Sequence, residues 1–206
     1  MQPATEPVAD GVTARRRDVA RAGHVGDAGG ARAGLTDPAP VVRSTALGAL
    51  ERLGVLADSE LRAGLDDPDP TVRRRAVELA ATHRAVEVLP LLDDPDPSVV
   101  EMTAWAMGER AETGAVARLS LLAAAVGGHP DPLCRESAVA ALGAIGDRGG
   151  LPAVLCALDD RPAIRRRAAV ALAAFEEVEV EAALRRCLDD RDWQVRQVAE
   201  DLLAVD

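Results

Sequence analysis

Apolar residues recur along this chain at helical spacing, and the blocks they form repeat. With Val72 as a reference position, the equivalent positions are Val42, Val99, Cys134, Ile164 and Val195, at intervals of 30, 27, 35, 30 and 31 residues. Four residues beyond each stands a small side chain (Ala46, Ala76, Thr103, Ala138, Ala168, Ala199), and eight beyond stands an apolar one (Leu50, Ala80, Met107, Leu142, Leu172, Leu203). Such positions share one helix face, so each block predicts a helix with one buried stripe. Six copies result, and a partial seventh lies upstream, where ARRRDVARAG (14–23) aligns with VRRRAVELAA.

The residues ahead of each stripe place the helix starts. Pro40, Pro70, Pro97, Pro132 and Pro162 fit the first helical position, where a missing N–H costs nothing and the fixed φ is already helical. Asp69, Asp96, Asp131 and Asp192 precede that position as N-caps, accepting from amides at the positive end of the helix dipole. Upstream of each turn lies a second apolar segment, such as VEVLPLL (86–92), LPAVLCAL (151–158) and VEVEAALRRCL (178–188). Each unit therefore predicts helix, turn, helix.

One such pair cannot bury both faces alone, so stacked copies must share a continuous core. The chain is expected to be all-α: a right-handed α-solenoid of about six helix pairs plus the partial N-terminal one. The interior slot held by Leu47, Val77, Ala104, Val139 and Ala169 becomes Glu200 in the last copy, and the small-residue slot becomes Asp18 in the first, as water-facing end copies require. Residues 13–206 form the expected repeat domain, and residues 1–12 an expected disordered tail.

Composition changes the picture in three places. Tyr is absent and Phe175 is the sole phenylalanine, so small and aliphatic side chains must fill the core and the helices must lie close together. All 24 basic residues are arginine, with no lysine and no asparagine, which points to a GC-rich genome rather than to phosphate binding. The net charge of −10 also argues against a nucleic-acid partner. Cys134, Cys156 and Cys187 are too scattered for a disulfide framework or a zinc site, and all three are expected to be small buried residues, Cys156 and Cys187 at equivalent places in neighbouring copies. No stretch has signal-peptide or membrane-span character, so the expectation is a cytoplasmic protein with no membrane contact.

The pattern of apolar helix, D-x-x-P-x-V-R and A-x-x-x-L, seen in LDDPDPTVRRRAVELA, LDDRPAIRRRAAVALAAF and LDDRDWQVRQVAEDLL, resembles the short HEAT repeats, specifically the lyase-type (PBS lyase) HEAT-like group, over about residues 13–206. The resemblance implies a ladder in which a turn aspartate pairs with the arginine after the reference valine. The matching acids are Asp37, Asp67, Asp94, Asp159 or Asp160, and Asp190; the matching arginines are Arg43, Arg73, Arg135, Arg165 and Arg196. Val100 replaces the arginine in the third copy and His129 replaces the acid in the fourth, so a looser joint, and any bend, is expected within residues 94–135, where Gly127 and Gly128 also lie. Members of such families serve mainly as protein-binding scaffolds. Minorities attach bilins, hydroxylate a modified lysine at a di-iron site or excise alkylated bases.

Two positions past each reference residue come Ser44, Arg74, Glu101, Glu136, Arg166 and Gln197; one turn later come Gly48, Glu78, Trp105, Ala140, Val170 and Asp201. Residues four apart share a face, so Glu101 and Trp105 stand together on the side that the resemblance makes concave. Trp105 has two readings. It anchors a partner, or it folds down over the loose joint against Met102 or the helix of residues 114–126. Trp193, in the proline slot of the last copy, is expected to pack over a turn. His24, His83 and His129 lack the following glutamate that a di-iron site would need, and the arginine runs lie among acids, which favours a solvated face. The expected function is a non-enzymatic scaffold gripping a protein partner through Arg74, Glu78, Glu101, Trp105, Glu136 and Arg166, with no catalytic residue, metal or cofactor. The alternative is an enzyme or accessory factor acting on nucleic acid, as alkylpurine glycosylases do, or on a tetrapyrrole, as bilin lyases do.

Overall fold

The computed structural model describes residues 8–111 and 116–204, without the side chains of residues 8–10 and 116–121. Twelve α-helices and four short 3-10 turns account for the regular structure among these residues. They fall into two compact units, residues 1–87 and 88–206.

In the first unit, α1 (Val8–Val25), α3 (Pro40–Arg52) and α5 (Pro70–Ala80) are second helices of successive copies, and α3 packs between the other two. The first helices, α2 (Ala28–Ala33) with a 3-10 extension Gly34–Thr36, and α4 (Asp58–Leu65), form the other layer. The partial copy is thus α1. It begins at Val8, inside the stretch expected as a tail; residues 1–7 lie outside the described residues.

In the second unit, α6 (Pro97–Arg110), α8 (Pro132–Ile145), α10 (Pro162–Ala171) and α12 (Trp193–Leu203) stack in order. Behind them lie α7 (Val116–Gly128), α9 (Leu151–Ala157) and α11 (Val178–Cys187). The third copy departs from the expected helix pair: VEVLPLL forms only a 3-10 turn, Leu89–Asp93. Its interval is the shortest, 27 residues. Pro90 sits in the middle of the segment, where it would break an α-helix, and Val86 and Val88 are buried outside any helix. The two units divide at this copy, between Glu87 and Val88, upstream of the 94–135 stretch.

All five prolines begin their helices, and Asp69, Asp96, Asp131 and Asp192 cap theirs by accepting from the amide two residues on. The reference positions are buried throughout, from Val42 to Val195, and the polar end positions Asp18 and Glu200 are exposed. Among the described residues no helix is long and apolar enough to cross a membrane.

Close approach of neighbouring second helices depends on paired small residues. A Cβ on Gly143 of α8 would stand 2.7 Å from that of Ala171 on α10, and one on Gly108 of α6 would stand 3.0 Å from the Ala141 Cα on α8. Gly23 of α1 meets Ala49 of α3 in the same way. Each glycine lies nine residues past its reference position and each alanine seven past its own. This is how a core almost without aromatic residues reaches close packing.

Candidate functional site

The turn ladder fixes the second helices in register. Arg43 donates from Nε and Nη2 to Asp67 at 2.8 and 2.7 Å, Arg135 to Asp160 at 2.7 and 2.9 Å, and Arg165 to Asp190 at 2.8 and 2.7 Å. Each of these guanidiniums also turns Nη1 back to carbonyls of its own turn, as Arg165 does to Asp160 O at 2.9 Å. The acid at residues 159–160 that joins the ladder is Asp160, 30 residues before Asp190. Arg15 of α1 adds a rung to Asp37, at 2.6 and 3.1 Å. Hydrogen bonds from Arg15, Arg135 and Arg165, outweighing burial, hold the Asp37, Asp160 and Asp190 carboxyls below their ordinary range.

The turn acids have a second role: Asp37, Asp67, Asp94 and Asp190 accept from the amide two residues on, as Asp67 does from Asp69 at 2.9 Å and Asp190 from Asp192 at 2.7 Å, whereas Asp160, with Pro162 two residues on, accepts from Arg161 at 2.7 Å. His129 keeps this half of the role, its Nδ1 accepting from the Asp131 amide at 3.1 Å. Arg135 still returns to the His129 carbonyl at 2.8 Å. The arginine that would reach this turn from the preceding copy is the one replaced by Val100, which is buried. The two departures are therefore the two ends of one missing rung.

With the helices so placed, α6, α8 and α10 present adjacent faces in the second unit. Trp105 on α6 is 42% exposed, among the large apolar side chains left open to solvent, with Val170 on α10 49% exposed. Glu101 is half-buried one turn before Trp105. Glu136 on α8 lies 3.5 Å from Arg167 of α10. Arg166 is engaged within its own unit, donating to Gln194 and standing 3.7 Å from Asp192. Arg74 and Glu78 hold the same slots on α5 of the first unit; Arg74 is exposed, and Glu78 pairs with Arg75 at 2.8 Å. Glu101, Trp105, Glu136 and Arg166 thus lie on successive second helices of one unit.

Sequence reasoning missed what lies beside them. A shallow cavity of about 330 Å³ opens between α8 and α10, lined by Ala140, Gly143, Ala144, Arg167, Val170 and Ala171, with Ala173 and Ala174 at its end. Glu109, one turn past Trp105, is exposed on the same helix; its i+4 spacing from Trp105 was available in the sequence. Another cavity, of about 320 Å³, lies in the first unit against the Arg43–Asp67 rung, lined by Leu35, Thr36, Leu47, Ser59, Ala63 and Gly64.

The cysteines and Trp193 correct two expectations. Cys134 and Cys187 are buried, but Cys156 is exposed. Cys187 corresponds to buried Ala157, and Cys156 to exposed Arg186, so the assumed equivalence was off by one residue, which on a helix turns a side chain about 100°. Burial, with smaller contributions from Asp131 and Glu101, pushes the Cys134 thiol up to about 11, which leaves it an inert packing group. Trp193 is 64% exposed at the first position of α12, so most of its ring stands in solvent where packing over the turn was expected.

A family model described as HEAT repeats matches residues 86–160 and 119–204. No curated protein matches the chain. Among solved structures, the designed armadillo repeat protein YIII(Dq)4CqI aligns with a TM-score of 0.61 at 20% identity, covering 84% of this chain and 97% of that one. The designed armadillo repeat protein YIII(Dq.V1)4CPAF in complex with peptide (KR)4 aligns with a TM-score of 0.64, at the same identity and coverage. A computationally designed armadillo repeat protein for modular peptide recognition aligns with a TM-score of 0.50 at 16% identity, over 96% of this chain and 94% of that one. These likenesses establish the fold class as an all-helical repeat solenoid.

Proposed function

Because this chain belongs to the HEAT-repeat family, we propose that it is a non-enzymatic scaffold whose second-helix face, in residues 88–206, holds an extended segment of a protein partner. The observation that carries this reading is Trp105: a large indole 42% exposed on the face that also presents Val170 and the alanine-lined cavity. An exposed tryptophan beside a shallow apolar depression has the character of an interface anchor, because the indole gains most when a partner completes its burial. Glu101 stands one turn before it, Glu136 and Arg166 hold equivalent slots on α8 and α10, and Arg74 and Glu78 carry the corresponding slots in the first unit. A designed repeat protein of similar fold is in complex with a peptide, which supports a peptide partner in general. The D-x-x-P-x-V-R turns support reading the repeats as the lyase-type variety. Neither the glycosylase-like nor the bilin-lyase-like alternative gains support from the comparisons.

The test is a selection from a random peptide library against the wild-type protein. The resulting binders are then measured against Trp105→Ala, once circular dichroism shows that both proteins are equally folded. Loss of about tenfold or more in affinity is expected for a central aromatic anchor. Binders that ignore the substitution would place the working surface elsewhere.

A further inference from the structure

The charge of the chain is unevenly divided. Residues 88–206 carry 21 acidic and 12 basic side chains, whereas residues 1–87 carry 13 and 12, so nearly all of the net −10 belongs to the unit that bears Trp105. Within that unit most charges on the second-helix face are already matched. Glu136 has Arg167, Arg165 has Asp190, and Arg166 has Asp192 and Gln194. Glu101 and Glu109 form no ion pair among the described residues. They stand one turn before and one turn after Trp105, so the three side chains make a column, carboxylate, indole, carboxylate, along one edge of α6.

That column has a specific chemistry. An indole face attracts a cation through its quadrupole, more strongly than any other side-chain ring, and does so best when the cation is partly withdrawn from water. Carboxylates on both sides add direct attraction and supply acceptors for the N–H groups of the cation. An acidic or neutral segment laid on the same face would leave both carboxylates uncompensated. Resting on the proposed peptide-holding function, we propose that the occupant is a basic extended segment of a protein, with one arginine or lysine side chain lying on the Trp105 indole between Glu101 and Glu109. An aliphatic residue further along the segment, on the same side of it, enters the cavity between α8 and α10, whose lining of alanines and Val170 admits a small apolar group. The recognised pattern is then a basic residue followed along the chain by an aliphatic one.

The experiment uses the full chain with Trp193→Phe, which leaves Trp105 as the only tryptophan and its emission as the readout. Three acetylated decapeptides alternating alanine with arginine, glutamine or glutamate are titrated at low and moderate salt. The arginine peptide is expected to shift the Trp105 emission and to bind at least about fivefold more tightly than the glutamine peptide. Glu101→Gln and Glu109→Gln are each expected to weaken it about threefold. The control substitutions Glu176→Gln and Glu179→Gln, which remove the same charge from exposed positions of the same unit, are expected to leave it unchanged. Equal weakening by the controls would reduce the effect to the bulk charge of the unit and overturn the proposal. Equal binding of the glutamine peptide would overturn the cation while leaving the peptide-holding face in place. No change in emission with any of the three would overturn both.

Discussion

His83 shows how a single side chain can join three segments. Its Nε2 lies 2.9 Å from Glu51 at the end of α3, and its Nδ1 lies 3.2 Å from Asp58 at the start of α4, while its own backbone follows α5. Both ring nitrogens face carboxylates, so both must donate, and only the imidazolium can do that. Burial disfavours the charged ring, but the hydrogen bonds to Glu51 and Asp58 outweigh it, and the proton is held above the ordinary histidine range. A folded-state value above the unfolded one gives stability that is full below about pH 6.5 and is lost as pH rises through the folded value. The melting temperature is therefore expected to fall by roughly a few degrees between about pH 6 and 8.5, a slope that His83→Gln should flatten. Parallel slopes for the two proteins in a calorimetric pH series would show that the histidine carries no such linkage. None of this was legible in the sequence, because Glu51 and Asp58 lie 32 and 25 residues away and the copies do not repeat the trio. The exposed Cys156 was hidden for a smaller reason, a slip of one residue in aligning short first helices.

At the scale of the element, the second helices were written plainly in the chain and the first helices were not. Proline at the first position and aspartate before it act within one turn, so their meaning survives without tertiary context. The first helices are as short as Ala28–Ala33 and Leu151–Ala157, too short to show a period, and in the third copy the segment around Pro90 makes only a 3-10 turn. The ladder was legible as a resemblance, but that Val100 and His129 are two ends of one rung emerges only once Arg43, Arg135 and Arg165 are seen reaching forward to the next turn. This predicts strong coupling. Val100→Arg alone sets a half-buried guanidinium opposite His129 with no carboxylate to receive it and should cost about 2 kcal/mol or more. His129→Asp alone, which keeps the acceptor for the Asp131 amide, should cost about 1 kcal/mol or less. The double variant should recover about 1–2 kcal/mol relative to the sum. A double-mutant cycle by urea denaturation reads this directly, and additive effects would mean that the two positions do not form a rung.

For the molecule as a whole, repetition and its interruptions carry different messages. Matched slots produce a stack of helices held by small-residue contacts and arginine clamps, whereas function is read from slots that break the pattern. Trp105 was conspicuous in the sequence as a bulky residue where other copies have Gly, Glu, Ala, Val or Asp. The apolar cavity between the next two second helices was not, because it arises where Gly143 lets α10 approach α8 and leaves an alanine-lined hollow along the exposed edge. The segregation of negative charge into residues 88–206 became meaningful only with the division at Glu87 and Val88. Two tryptophans, one on α6 and one at the start of α12, make the most direct measurement simple. Each gives one indole N–H signal in a proton–nitrogen correlation spectrum, assigned with Trp193→Phe. On titration with a peptide selected for binding without regard to its charge, the Trp105 signal is expected to shift in step with saturation while that of Trp193 stays in place; an unmoved Trp105 signal, or movement of Trp193 alone, would contradict a partner held on the second-helix face.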